Sequence, residues 1–430
     1  MSGRVLILLQ NEPIPHDRHV WNQSRALARA GYDVNVICPV GEDRDRERFE
    51  RIEDVSIHRY KPFTASGSAP SYVLEYLAAL WSMRRLARRL AREGGRFDVV
   101  HACSPPDFLL LAALGLRLQG SRFIFDHHDL TPELYLTRFG AGPIQRLTLA
   151  AEQVAFRSAD VVLSVNDSYR RVAIERGNRE PDDVFVVRTG PDLTRFVPYP
   201  PDPTIKQGKP YLLAYAGVMG PQDGVDHALY ALGELKSLRE DWHAVFMGDG
   251  EMFEAMQSLA VKMGLDEHVE FAGWVEHETI GRVLSTADVC LAPDPKTPLN
   301  DISSMVKISE YMAMSRPIVS YDLAESRVGA GDAAVFAAPE DHTGFAALVS
   351  ELLDEPERRQ AMGEAGRRRA EELLAWAHQE RALLAAYARG TEMGPVQENR
   401  GEILRKLLNF RQKSSLPAKH ESRAAAAGAE

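Results

Sequence analysis

Short, uniformly apolar runs alternate with longer stretches of helical period through most of this chain. The runs VLILL at 5, VNVI at 34, DVVHA at 98, RFIFD at 122, DVVLSV at 160 and VFVV at 184 lack the in-and-out alternation of a half-exposed strand. Strands apolar on both faces are covered on both faces, the mark of a parallel sheet between helix layers. Residues 1–195 therefore predict a doubly wound, Rossmann-like α/β domain. Residues 196–210, FVPYPPDPTIKQGKP, hold five prolines that continue neither a helix nor a central strand, and predict a linker. The alternation restarts with YLLAYAG at 211, HAVFMGDG at 243, VEFAGW at 269, DVCLAP at 288, PIVSYD at 317 and AAVFAAP at 333. A second α/β domain is expected over 211–390, ending in a helical stretch from about Pro356 to Arg389 with its register broken near Gly363 and Gly366. The tail, 391–430, carries the basic amphipathic ILRKLLNFRQK and an Ala-rich end whose composition predicts disorder.

Composition narrows this picture. Across 430 residues, 45% hydrophobic and 26% charged positions describe a globular chain with a sizeable core and exclude general disorder. A net charge of -10 speaks against a nucleic-acid binder and leaves room only for local basic patches. One such patch is 72–92, where Arg84, Arg85, Arg88, Arg89 and Arg92 stand beside Trp81, Leu86 and Leu90. That face suits an anionic membrane surface or a plain solvated helix. Cys38, Cys103 and Cys290 lie too far apart for a disulfide framework or a zinc site, which predicts a reducing, cytoplasmic setting. The apolar run Val5 to Leu9 reads as a buried strand rather than a secretion signal. Phe108 to Leu116, the longest uncharged apolar run, falls short of the ~20 residues that span a bilayer.

Candidate chemistry concentrates in residues 293–319, PDPKTPLNDISSMVKISEYMAMSRPIV. A strand end, a polar loop and a helix starting near Ser304 or Met305 and stopping before Pro317 are expected. A helix opening at the carboxyl edge of a parallel sheet turns free N–H groups and its positive dipole end into the cleft. Lys307 adds a charge in the first turn, and Glu310, about one turn further along, suits hydrogen bonds from vicinal hydroxyls. An ordinary amphipathic helix with a surface Lys and Glu shows the same pattern. Gly217, Gly220 and Gly224, and then Gly248 and Gly250, follow strands and admit a phosphate close to the backbone, although strand-to-helix turns use glycine for steric reasons too. In FDHHDLTPE, Asp126, His127, His128 and Asp129 sit at a strand end; such histidines meet a ligand, cap a helix or pair with a carboxylate. Neither helical His spacing nor a Cys partner supports a metal there. In the first strand-to-helix loop, QNEPIPHDR, Asp17 serves either in binding or as an N-cap. The absence of GxGxxG after the first strand argues against a dinucleotide-dependent dehydrogenase.

Taken together, GVMGPQDGVD, FMGDGE, the PLNDISS loop, KISEYMAMSRPIV and FDHHDLTPELY resemble the family 4 retaining glycosyltransferases of GT-B architecture, over residues 3 to about 390. The pattern is similar to bacterial enzymes of exopolysaccharide or O-antigen assembly. The resemblance implies two Rossmann-like domains facing a cleft, a nucleotide diphosphate sugar as donor, no required cofactor or metal, and a glycan acceptor, lipid-linked in such pathways. It implies His128, Lys307 and Glu310 at the reacting centre. It implies donor contacts from Gly217, Val218, Met219, Gly248, Gly250, Asp301, Ser303, Ser304, Met305 and Val306, and acceptor contacts from Asp17, Arg18 and Glu133. Two departures stand out. Where the family carries the first of two acids separated by seven residues, this chain has Ile302, so Asp301 or the N–H groups of Ser303 to Val306 are expected to replace it. The loop 217–224 holds no cation and includes Asp223, so Lys307 and the helix N-terminus are expected to hold the diphosphate, ahead of Lys296 or Arg316. A nucleotide-sugar 2-epimerase and a catalytically silent nucleotide-sugar-binding scaffold are the competing readings.

Overall fold

Each of these apolar runs forms a strand in the computed structural model, which describes residues 3–41, 45–63, 69–393 and 401. The first sheet comprises β1 (Arg4–Leu8), β2 (Asp33–Pro39), β3 (Phe49–Ile52), β4 (Val55–Tyr60), β5 (Val99–Cys103), β6 (Arg122–His127), β7 (Val161–Ser164) and β8 (Val184–Val186). Its order is β3-β4-β2-β1-β5-β6-β7-β8. All pairings are parallel except β3 with β4, an antiparallel edge hairpin that the apolar runs did not predict. The edge strand β3, FERI, has no buried residue, and in its partner β4, VSIHRY, the half-buried Ser56 and His58 alternate with buried Val55 and Ile57. The central β1 shows the other regime: Val5 to Leu8 are fully buried, each apolar side chain contributing on the order of 1.5–3 kcal/mol.

The second sheet comprises β9 (Tyr211–Ala216), β10 (Trp242–Met247), β11 (Val269–Gly273), β12 (Val289–Ala292), β13 (Ile318–Tyr321) and β14 (Ala334–Ala337), all parallel, in the order β11-β10-β9-β12-β13-β14. Strand order reverses between β9 and β12 here and between β1 and β5 in the first sheet. Ligands of open α/β sheets bind at the carboxyl ends of strands beside such switch points.

The connections depart from expectation. The segment 196–210 is a strap on the second lobe: Phe196 is buried there, and the N–H groups of Tyr199 and Asp202 donate to Ser285 and Thr286. The helix Pro356–Arg369 continues through a π-helical turn, Ala370–Leu374, and breaks at extended Ala375 (ψ 141°). The following helix, Trp376–Glu392, returns to the first lobe, where Leu383, Ala386 and Tyr387 are buried with Val34 and Ile124. Residues 376–390 thus pack outside the expected second domain. Gly363 does not break the register; a Cβ there would lie 2.2 Å from the Ser315 carbonyl oxygen, so glycine permits close packing on the turn that follows the helix Val306–Ala313. The two chain crossings between lobes touch, since a Cβ at Gly190 would lie 1.8 Å from the Leu374 oxygen. ILRKLLNFRQK and the Ala-rich end lie outside the described residues.

Candidate active site

Asp126, the penultimate residue of β6, lies fully inside the first lobe, and its Oδ2 gathers side chains from the helix Arg18–Arg29, from β5 and from the turn after β6. His19 Nε2 lies at 3.1 Å, Gln23 Nε2 at 2.9 Å and His101 Nε2 at 3.3 Å. His128 Nδ1 stands 3.6 Å away, an ion-pair distance, which leaves Nε2 as the ring nitrogen for the cleft. Burial on its own would raise the Asp126 carboxyl, but the charge of His19, the bond from His101 and the nearby His128 outweigh it and hold it well below the usual carboxylate range. Burial would likewise lower the His128 imidazole; Asp126, helped by Asp129 and Asp17, raises it to about 9. His128 is therefore an imidazolium at neutral pH. Its backbone N–H and that of Asp129 both donate to Ser104 Oγ, at 3.1 and 3.2 Å, which fixes the turn. Ligand atoms of His19, Asp126 and His128 lie within 4.8 Å of one another, as do those of His101, Cys103 and Asp126, so either group has the spacing for a metal ion.

Other first-lobe candidates have structural partners. Glu133 pairs with Arg176, which bridges to the buried Glu152 at 2.6 Å, and Glu152 in turn meets His127 at 3.2 Å. The expected acceptor contact at Glu133 is thus committed to an internal network. Asp17 is the N-cap of the helix Arg18–Arg29, accepting from Val20 N–H at 2.9 Å.

In the second lobe the two glycine turns bind each other. Gly217 N–H donates to Met247 O and Met219 N–H to Asp249 O, both at 3.0 Å, while Gly248 N–H donates to Gly273 O at 2.8 Å. A Cβ at Gly248 (φ +137°) would lie 1.9 Å from the Gly217 oxygen. The glycines serve this loop-on-loop contact, and the N–H groups of Gly217, Met219 and Gly248 are not free for phosphate. Lys307 is not the free cation expected in the cleft either. It is 7% exposed and bonds Asp294 at 2.6 Å, with its Nζ 5.0 Å from the Tyr215 ring centroid. Burial would lower its ammonium, yet the charge of Asp294 raises it, so it stays charged and neutralised. Asp301, expected to stand in for an acid at 302, accepts from Ala324 N–H at 2.9 Å and pairs with Lys296 at 3.3 Å, both through Oδ1. Ile302 packs against Leu130, Val165 and Tyr169.

The lobes meet across the cleft at specific bonds. Asn166 Nδ2 donates to Ile302 O at 2.9 Å and to Ser304 Oγ at 3.0 Å, and Tyr169 OH shares a 2.9 Å bond with Ser303 Oγ. Arg18 Nη1 reaches Glu310 Oε1 at 3.3 Å. Burial raises the Glu310 carboxyl, and Arg18 and Arg195 oppose it. The helix Val306–Ala313 has no side-chain cap on its first turn. A cavity of about 230 Å³ lies between the lobes, with His19 and His128 on one side and Ser303 to Val306 on the other. His19, Gln23, His101, Asn166 and Tyr169 went unnoticed in the sequence. Only Asn166 carried a local signal, an Asn placed to cap a helix directly after the buried strand β7.

Two family models match the chain: Glycosyltransferase Family 4 over residues 17–195 and Glycosyl transferases group 1 over residues 201–369. The chain is 27% identical over 404 residues to the MMP alpha-(1->4)-mannosyltransferase of Mycolicibacterium hassiacum, covering 86% of this chain and 93% of that protein. Its fold is similar to sucrose-phosphate synthase from Thermosynechococcus elongatus, with a TM-score of 0.75, 16% identity and coverage of 91% and 100% of the two chains. It is also similar to Anabaena Alr3699/HepE in complex with UDP-glucose, with a TM-score of 0.69, 12% identity and coverage of 90% and 99%. With both models in series on facing parallel sheets, the chain belongs to the family 4 glycosyltransferases of GT-B fold.

Proposed function

We propose that this glycosyltransferase moves a sugar from a nucleotide diphosphate sugar to a hydroxyl of a lipid-linked glycan, with retention at the anomeric carbon. The observation that carries the reading is the uncapped N-terminus of the helix Val306–Ala313, with Glu310 one turn along it, across the cavity from His128. The free N–H groups and dipole of that helix receive the diphosphate, and Glu310 accepts hydrogen bonds from the ribose. The His128 imidazolium donates from Nε2 to the donor sugar. In the transfer, the bond from the anomeric carbon to the diphosphate oxygen breaks and a bond to the acceptor oxygen forms on the same face. The acceptor proton passes to the departing diphosphate, which is stabilised as charge develops on it. The UDP-glucose complex of the similarly folded HepE supports a nucleotide sugar as donor. The mannosyltransferase relative favours a transferase over an epimerase.

Calorimetry with nucleoside diphosphates, followed by incubation of bacterial membranes with labelled nucleotide sugars, tests this. Glu310→Ala should weaken nucleoside diphosphate binding by roughly 10- to 100-fold, the range for losing hydrogen bonds to a charged acceptor. Unchanged affinity would remove Glu310 from the ribose site.

A membrane-facing role for the helix Ala69–Gly94 is part of the same proposal. Among the described residues, no helix is long and apolar enough to cross a membrane. Leu77, Trp81, Arg85, Arg88 and Arg92 are exposed along one face of this helix, with Trp81 63% exposed. Arg84 instead donates to Leu111 O, and Arg89 pairs with Glu93. Changing Arg85, Arg88 and Arg92 together to Gln should release the protein from phosphatidylglycerol vesicles at low salt. Unaltered co-sedimentation would mark a solvated face.

A further inference from the structure

The cavity between the lobes continues past His128. Its wall on the second lobe includes Glu325, Ser326 and Gly329 from the short helix Ala324–Ala330, which follows β13. Glu325 is 5% and Ser326 2% exposed, yet neither has a partner among the described residues. The Ser326 hydroxyl is buried without a partner, and the Glu325 carboxylate makes no hydrogen bond or ion pair among the described residues. A buried hydroxyl left in this condition is costly unless a ligand supplies the missing partner, and a carboxylate without a protein partner on the cavity wall is free to accept hydrogen bonds from one. Tyr169 and Ser303, joined by their 2.9 Å bond, line the same cavity as Glu325 and Ser326.

The residues expected to read the donor sugar are occupied elsewhere. Ile302 faces an apolar cluster, and Asp301 Oδ1 is held by Ala324 N–H and Lys296. Resting on the nucleotide-sugar reading above, we infer that Glu325 and Ser326 determine donor specificity by bonding the hydroxyls of the glycosyl group, in the role an acid at 302 would otherwise take. A carboxylate accepts from two vicinal hydroxyls at once, and a serine hydroxyl both donates and accepts. The negative charge also sets a selection rule: a neutral sugar is accepted, and a sugar bearing its own carboxylate is repelled.

The test compares UDP and GDP with UDP-glucose, UDP-N-acetylglucosamine, GDP-mannose and UDP-glucuronate, by calorimetry and by turnover, in the full-length protein. Glu325→Ala and Ser326→Ala should leave the affinity for UDP or GDP unchanged. Glu325→Ala should weaken the preferred sugar conjugate by roughly 10- to 100-fold, as for hydrogen bonds to a charged acceptor, and Ser326→Ala by about three- to tenfold. The isosteric Glu325→Gln should narrow the gap between UDP-glucuronate and the neutral UDP-sugars. Thermal unfolding of each variant separates a folding defect from a binding one, and Glu325→Gln serves if Glu325→Ala is unstable. Equal losses for nucleotide and conjugate, or none for either, would overturn the inference while leaving the nucleotide-sugar reading intact. A wild-type protein that binds none of the nucleotides would overturn both, and the wild-type titration alone reveals that case.

Discussion

Replacing Asp126 with alanine should destabilise the first lobe by about 3–5 kcal/mol, the range for stranding a buried charged partner, and depress glycosyl transfer by about 10²-fold or more. The carboxylate is 1% exposed and holds His19, His101 and His128 around one oxygen. Without it, burial pushes the His128 imidazole below its usual value, and the cleft loses its charge-assisted donor. Asp126→Asn keeps the shape and isolates the charge, and its pH dependence is specific. Raised from the ordinary 6.5 to about 9, His128 contributes stability that is complete below about 6.5 and lost as pH rises through about 9. Asp126, held far below 3.8, contributes stability that is complete above that value and lost as pH falls beneath it. The stability gap between wild type and Asp126→Asn should therefore be widest between about pH 4 and 6.5 and narrow on the alkaline side, where the His128 contribution is lost. Denaturant melts at pH 5.5, 8 and 10 measure it. A gap as large at pH 10 as at pH 5.5, or a variant with near-wild-type transfer, would sink this account of His128.

This site also shows what a sequence reveals and what it hides. Strands such as VLILL and RFIFD are legible because a doubly covered sheet demands apolar residues on both faces, and that demand is local. The hairpin of β3 and β4 escaped because a one-sided edge needs no such run. His128 was found through its motif, but its meaning comes from Asp126 acting with His19 and His101, which approach from separate elements. Pairings of that kind are fixed by topology and leave no mark on spacing. The Tyr387 hydroxyl, 2.8 Å from His101 Nδ1, is the extreme case, since a helix counted with the second domain returns to brace the first. Spacing is equally silent about local competitors: Asp301, Glu133 and Met219 each meet a partner within the protein at the group expected to bind substrate.

Lys307 concentrates the same lesson in one side chain, and its replacement carries the second large effect. Its position at the start of the helix Val306–Ala313 was legible; Asp294, 13 residues earlier and 2.6 Å away, was not recognised as its neutraliser. The side chain runs beneath the glycine turn, its Cε 3.3 Å from where a Cβ on Gly217 would sit. Lys307→Met strands Asp294 and removes the turn's support, so a loss of about 3–5 kcal/mol and a fall in transfer of about 10²-fold or more are expected. Adding Asp294→Leu removes the stranded charge and should restore stability to within about 1–2 kcal/mol of wild type, because an apolar pair of similar volume commonly replaces a buried ion pair at little cost. If Lys307 works by holding the turn, transfer should recover with stability, to within about tenfold of wild type. A double variant that is stable yet still some 10²-fold slower would return to Lys307 the role of phosphate cation. Equilibrium unfolding and transfer rates, measured for both single variants and the double, decide between these outcomes because stability and rate then move separately.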